Sequence, residues 1–89
     1  MYYVYILHSR KDGRLYTGFS PDLKSRIKAH EGGFVRATKH RRPFTLIHYE
    51  AFLTSEDARR REKFLKGGNG KKDLEAMLQT YFEKNKWEK

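Results

Sequence analysis

Two β-type runs and a capped helix crowd into the first thirty residues, and any fold must be built around them. Val4, Ile6 and Leu7 precede a polar stretch at residues 9–14, and Leu15, Thr17 and Phe19 follow it. Within that stretch Lys11-Asp12-Gly13 is a turn signal, so the segment reads as a β-hairpin. Side chains alternate between faces along a strand, so Tyr3, Tyr5 and Leu7 share one face, as do Arg14, Tyr16 and Gly18 on the second strand. Gly18 has no side chain to block the close approach of a ligand. Ser20-Pro21 then opens a helix, with a hydroxyl at the N-cap and proline in the first turn, where no N–H is missed. On it Asp22, Arg26 and His30 are four apart and form one polar stripe. Two phenols, a guanidinium and an imidazole thus come from one compact unit, an arrangement suited to a phosphate.

The chain has 89 residues, enough for one domain. Its core is expected to be small and rich in Tyr and Phe. No apolar run approaches the ~20 residues of a membrane span. The start, Met-Tyr-Tyr-Val-Tyr-Ile-Leu, lacks the basic region and cleavage site of a signal peptide. The absence of cysteine excludes a disulfide framework and thiolate metal sites, which makes the cytoplasm the expected location. Twenty Lys and Arg against eleven Asp and Glu leave a net charge of +9, which favours a polyanionic partner, nucleic acid ahead of a membrane surface.

Further along, Glu31-Gly32-Gly33 stops the first helix. Residues 34–42 form a polar loop holding Arg36, Lys39, His40, Arg41 and Arg42. These five groups within seven positions repel one another unless an anion is near, so the loop is expected to touch phosphate. Phe44–Phe52 reads as a third strand, imperfectly alternating as a strand buried on both sides can be, and completes a three-stranded sheet. Thr54 to Asp57 resembles a capping box that opens a second helix, with Glu62 at the edge of its Ala58 and Leu65 stripe. Gly67-Gly68 ends it. A third helix begins near residues 69–72, with Leu74, Met77, Leu78, Tyr81 and Phe82 as core positions. Residues 1–84 form the domain, and residues 85–89 a charged tail on which Trp87 can dock. The order β-β-α-β-α-α implies an α+β fold, a three-stranded antiparallel sheet flanked by three helices.

Each candidate also has an ordinary structural explanation. Tyr5 and Tyr16 can be cross-strand aromatics, Arg26 a partner for Asp22, and His30 a cation at the negative end of the helix dipole. Glu62, a carboxylate among apolar neighbours, needs either a nearby Arg or an oxygen-seeking divalent cation such as Mg²⁺. The chain has no phosphate-binding Gly-rich loop ending in Lys-Ser/Thr, no His-Glu-x-x-His helix and no nucleophile elbow.

Taken together, Tyr3-Val4-Tyr5, ten intervening residues, Tyr16-Thr17-Gly18, then Arg26, His30 and Glu62 resemble the GIY-YIG endonuclease domain. The likeness is closest to the small single-domain proteins of that superfamily and covers nearly the whole chain. Three departures stand out. Tyr3-Val4-Tyr5 replaces Gly-Ile-Tyr, Tyr16-Thr17-Gly18 replaces Tyr-Ile-Gly, and the family's late asparagine falls at Asn69. The resemblance implies Mg²⁺-dependent hydrolysis of a DNA phosphodiester, with one ion held by Glu62 and Mn²⁺ as an alternative. It implies Tyr5 or Tyr16 as general base, Arg26 as transition-state stabiliser, and His30 as a positioning group. Arg36, Lys39, His40, Arg41 and Arg42, with the arginines of the second helix, are then expected to hold the nucleic acid backbone, in a monomer or weak homodimer. The alternative is a non-catalytic module that keeps the fold and binds DNA or structured RNA through its basic surface.

Overall fold

The structure, a computed structural model, describes residues 1–85, so Trp87 and nearly all of the expected tail lie outside the described residues. Strand β1 (Tyr2–Ser9) runs between β2 (Leu15–Ser20) and β3 (Phe44–Phe52), both antiparallel to it, in the order β2-β1-β3. Four α-helices are described: α1 (Leu23–Glu31), α2 (Ser55–Lys66), α3 (Gly68–Met77) and α4 (Gln79–Lys84). The α+β class and three-stranded antiparallel sheet are those expected. The expected third helix is divided at Leu78, which leaves helical geometry at φ −109° and ψ 29°. No proline or glycine marks the break, so it leaves no trace in the local sequence.

Ser9 builds the hairpin turn. Its hydroxyl accepts from the N–H groups of Lys11 and Asp12, both at 3.1 Å, while Gly13 takes φ 73°. Only glycine adopts that angle without steric cost. β1 is the strand buried on both sides, with Val4, Tyr5, Ile6 and Leu7 all at 1% exposure or less. One face presents Val4 and Ile6 to Ala58 and Leu65 of α2 and Leu74 of α3, which together form the apolar core. The other face carries Tyr5 to α1.

β3 is an edge strand rather than one buried on both sides. Its alternation is broken because the pairing with β1 slips between Ile6 and Leu7, inserting Ile47 as a bulge, and Tyr49 is left 53% exposed. The first helix also starts later than expected. Ser20 closes β2, and Asp22 is the N-cap, its carboxylate accepting from the N–H of Ser25 at 3.1 Å. Thr54 caps α2 as expected, accepting from Asp57 N–H at 3.2 Å and donating to its carboxylate at 2.9 Å. Met77 is not a core residue. The break after it leaves its side chain exposed.

α3 lies against α2 at a contact only glycine permits. A Cβ on Gly70 would stand 2.1 Å from the Phe64 carbonyl oxygen, a backbone atom that cannot rotate away. Gly68 has nothing within 4 Å of the same position. Urea unfolding should therefore show Gly70→Ala losing about 2–3 kcal/mol, the upper range for overpacking. Gly68→Ala should stay within about 1 kcal/mol of wild type, on either side.

Candidate active site

Tyr5 sits at the centre of the sheet and is fully buried. Its ring fills the space left by Gly18, directly opposite on β2, where a Cβ would lie 2.3 Å from Tyr5 Cζ. The missing side chain thus admits the phenol of Tyr5 and not a ligand, correcting the expectation drawn from the strand pattern. At its far end the phenol meets His30 of α1, with 2.7 Å between Oη and Nε2. His30 Nδ1 in turn lies 2.7 Å from Thr38 Oγ1, and that hydroxyl is 3.4 Å from the Val35 carbonyl. Tyr16 flanks the pair, its ring 5.2 Å from the imidazole and 6.4 Å from the Tyr5 ring.

Charge joins the remaining members. Burial raises the Tyr5 pKa, a hydrogen bond from the Arg26 guanidinium opposes the rise, and the Glu62 carboxylate adds to it. Tyr5 therefore lies within electrostatic reach of Tyr16, Arg26 and Glu62, which come from β2, α1 and α2. His30 is pushed down to about 4, first by burial and then by the Arg26 charge. A neutral, buried imidazole is not the dipole-compensating cation of the plain reading. Nor does Arg26 pair with Asp22, whose carboxylate is taken by Ser25.

Glu62 is held from both sides of its helix. Its neighbour Arg61 forms a fork on Glu50 of β3, at 2.8 and 3.1 Å, and Glu50 also meets His48 at 2.9 Å. This clamp ties α2 to the sheet edge and removes Arg61 from the expected nucleic-acid contacts. The Glu62 carboxylate is 17% exposed and pairs through Oε2 with Lys66 at 3.1 Å, not with an arginine. Its Oε1 has no hydrogen bond or ion pair among the described residues. A hard carboxylate oxygen in a shielded position fits a Mg²⁺ ion, which commonly uses one or two protein carboxylates and completes its shell with water and phosphate oxygens. Among the described residues no three His, Asp or Glu side chains form a ready-made cage.

The basic loop is less free than its composition implies. Arg41 finds its anion inside the molecule, binding Asp12 of the hairpin turn at 2.6 Å and holding that carboxyl far below its usual range. Arg42 donates to the carbonyls of Lys39 at 3.0 Å and Glu31 at 3.2 Å, closing the end of α1. Arg36, Lys39 and His40 are exposed, with no side-chain bond among the described residues. Asn69 is exposed in the first turn of α3, and no described contact joins it to the cluster. Thr38, buried beneath His30, was missed from the sequence, and nothing local distinguishes it. Arg59, one of the second-helix arginines, stacks its guanidinium 4.0 Å over the Phe19 ring.

The GIY-YIG catalytic domain matches residues 1–76, which spans every member of the cluster. The chain belongs to the GIY-YIG family. Its relatives include the UPF0213 protein SSP2268 of Staphylococcus saprophyticus, 40% identical over 77 residues, covering 85% of this chain and 93% of that protein. The UPF0213 protein CPE1444 of Clostridium perfringens is 36% identical over 90 residues, covering all of this chain and 96% of its own. The solution NMR structure of the UPF0213 protein BH0048 from Bacillus halodurans superposes with a TM-score of 0.55 at 38% identity, covering 86% of this chain and 85% of that one. In this GIY-YIG domain both tripeptide motifs differ in letter, while the rings of Tyr5, Tyr16 and His30 lie within 6.4 Å of one another.

The low His30 pKa has a measurable consequence. Between about 4 and the ordinary 6.5 the unfolded chain binds more protons at this site than the native chain. Stability from His30 is thus complete above the higher value and lost as pH falls toward the lower. Denaturation by urea should show a drop of up to roughly 2 kcal/mol between pH 7 and pH 5. His8, also pushed down by burial, adds in the same direction. Asp12 and Glu50 are depressed carboxylates and act only at lower pH. In His30→Asn the drop should shrink to the share left by His8.

Proposed function

We propose that this GIY-YIG domain is a metal-dependent DNA endonuclease that hydrolyses phosphodiester bonds to leave a 5′-phosphate and a 3′-hydroxyl. The observation that carries the reading is the electrostatic meeting of Arg26, Tyr16 and Glu62 around the Tyr5–His30 pair. Three elements distant in sequence, β2, α1 and α2, thus act electrostatically on one phenol. A structural ion-pair network would instead have matched the guanidinium with a carboxylate, and Arg26 has no such partner among the described residues.

Roles follow from accessibility. Tyr5 is sealed from solvent, whereas Tyr16 is half-buried and its hydroxyl makes no described hydrogen bond. Tyr16 is therefore the phenol that meets water, and it takes the proton from the attacking molecule as general base. Arg26 sets its charge against the extra negative charge of the pentavalent transition state, a contribution of several kcal/mol. Tyr5 and His30 hold that guanidinium from behind. Glu62 would hold a Mg²⁺ or Mn²⁺ ion, which when bound supplies Lewis-acid charge to the phosphate. Arg36, Lys39 and His40 grip the backbone without reading bases. A domain this small offers little area for sequence readout, so DNA structure guides cleavage.

The test uses labelled single-stranded, duplex, flapped and branched DNA with Mg²⁺ or EDTA. Glu62→Gln, Arg26→Ala and Tyr16→Phe should each lower the cleavage rate at least ~100-fold while binding changes only a few-fold. Lys39→Ala should weaken binding and make its salt slope shallower by about 1. Cleavage that survives both Glu62→Gln and Arg26→Ala would point to a binding module that keeps the fold.

A further inference from the structure

Among the described residues, one arrangement of protons along Tyr5, His30 and Thr38 gives every donor an acceptor. Tyr5 Oη lies 2.7 Å from His30 Nε2 and within the electrostatic influence of the Arg26 guanidinium. The phenol is fully buried and needs an acceptor for its own proton, and Nε2 is the one at hand. The imidazole is neutral, so if Nε2 accepts, Nδ1 carries the ring proton. At 2.7 Å from Nδ1, Thr38 Oγ1 must then be the acceptor, which leaves the threonine proton directed at the Val35 carbonyl, 3.4 Å away. Every donor finds an acceptor in this order. The reverse tautomer would aim the Nε2 proton at the phenol oxygen and leave the buried phenol proton with no acceptor among the described residues.

We propose that Thr38 is a positioning residue: it locks His30 as the Nδ1–H tautomer, which turns the Tyr5 hydroxyl inward and presents its lone pair to Arg26. Thr38 touches neither substrate nor metal. It acts through His30 and Tyr5, on a loop whose Arg36, Lys39 and His40 face outward. Because Thr38 is wholly buried at the foot of the basic loop, the same contact fastens that loop to the end of α1. The inference that the aim of Arg26 affects rate rests on the endonuclease reading; the inference about the tautomer does not.

The two parts are separated by two measurements. In the first, long-range ¹H–¹⁵N correlation at pH 7 identifies which nitrogen of His30 carries the proton in the wild-type protein. Nδ1–H is expected, and Nε2–H would overturn the proposal without any variant. Thr38→Val keeps the shape but cannot accept, so the His30 signals should shift toward the other tautomer, and Thr38→Ser should restore them. In the second, Thr38→Val should lower kcat of DNA cleavage ~10-fold or more with KM nearly unchanged, as loss of an orienting partner does elsewhere. Thr38→Ser should stay within about twofold of wild type. Unchanged His30 signals in Thr38→Val, or loss of rate that Thr38→Ser does not rescue, would mean that Thr38 only packs. If wild-type protein cuts none of the DNA substrates, the endonuclease reading fails while the tautomer result stands on its own.

Discussion

A phenol with no access to water must find all its hydrogen bonds inside the protein, and in this fold that phenol is Tyr5. Leaving a buried hydroxyl unmade costs on the order of 1–3 kcal/mol, a large share of a small domain's stability. The requirement spreads outward. Gly18 is needed opposite Tyr5 because the ring lies where a side chain would be. His30 is needed as a neutral acceptor, and burial keeps it neutral. The chain after α1 must fold back so that Thr38 meets the second imidazole nitrogen. A single tyrosine thus fixes a strand pairing, a helix position and a loop path.

The opposite face of the sheet solves a different problem, placing one carboxylate at the right depth. Ala58 and Leu65 anchor α2 in the apolar core, and Gly70 lets α3 press close behind it. Apolar burial of this kind is strong but non-directional, so it sets the depth of the helix and leaves its rotation free. The fork between Arg61 and Glu50 supplies the missing direction. Being only part-exposed and bidentate, it specifies orientation better than a surface pair does. Glu62 follows in the next position and inherits that orientation.

Much of this was legible in the chain. The hairpin, the three strands, the Thr54 cap and the Gly67 stop all depend on local chemistry, in which a turn residue or a cap acts on neighbours a few positions away. Strand and helix periodicities brought Tyr5, Tyr16, Arg26 and His30 together, and Glu62 joined them only through the resemblance to the GIY-YIG domain. What escaped were features decided by partners far away in number. Asp22 displaced Ser20 as the cap because Ser20 was already needed to finish β2 against Tyr3. Met77 lost its place in the core to a helix break that no residue announces. Thr38, in a loop of charges, reads as solvent-facing until the imidazole it meets is known.

Electrostatics shows the same division between local pattern and distant partner. The basic loop looked as though it required an external anion, yet Asp12 neutralises Arg41 from the hairpin turn, and Arg42 caps carbonyls. A cation spent internally contributes less to binding a polyanion, since the counterion gain comes from charges that meet phosphate. Arg36, Lys39 and His40 remain outward, beside the loop that Thr38 secures from within. The exposed cations and the buried hydroxyl of Thr38 therefore share one segment, residues 34–42. Its sequence looks like a single basic tract, but its parts serve different ends: Arg36, Lys39 and His40 face solvent, Arg41 and Arg42 bind within the molecule, and the Thr38 hydroxyl meets the buried imidazole of His30.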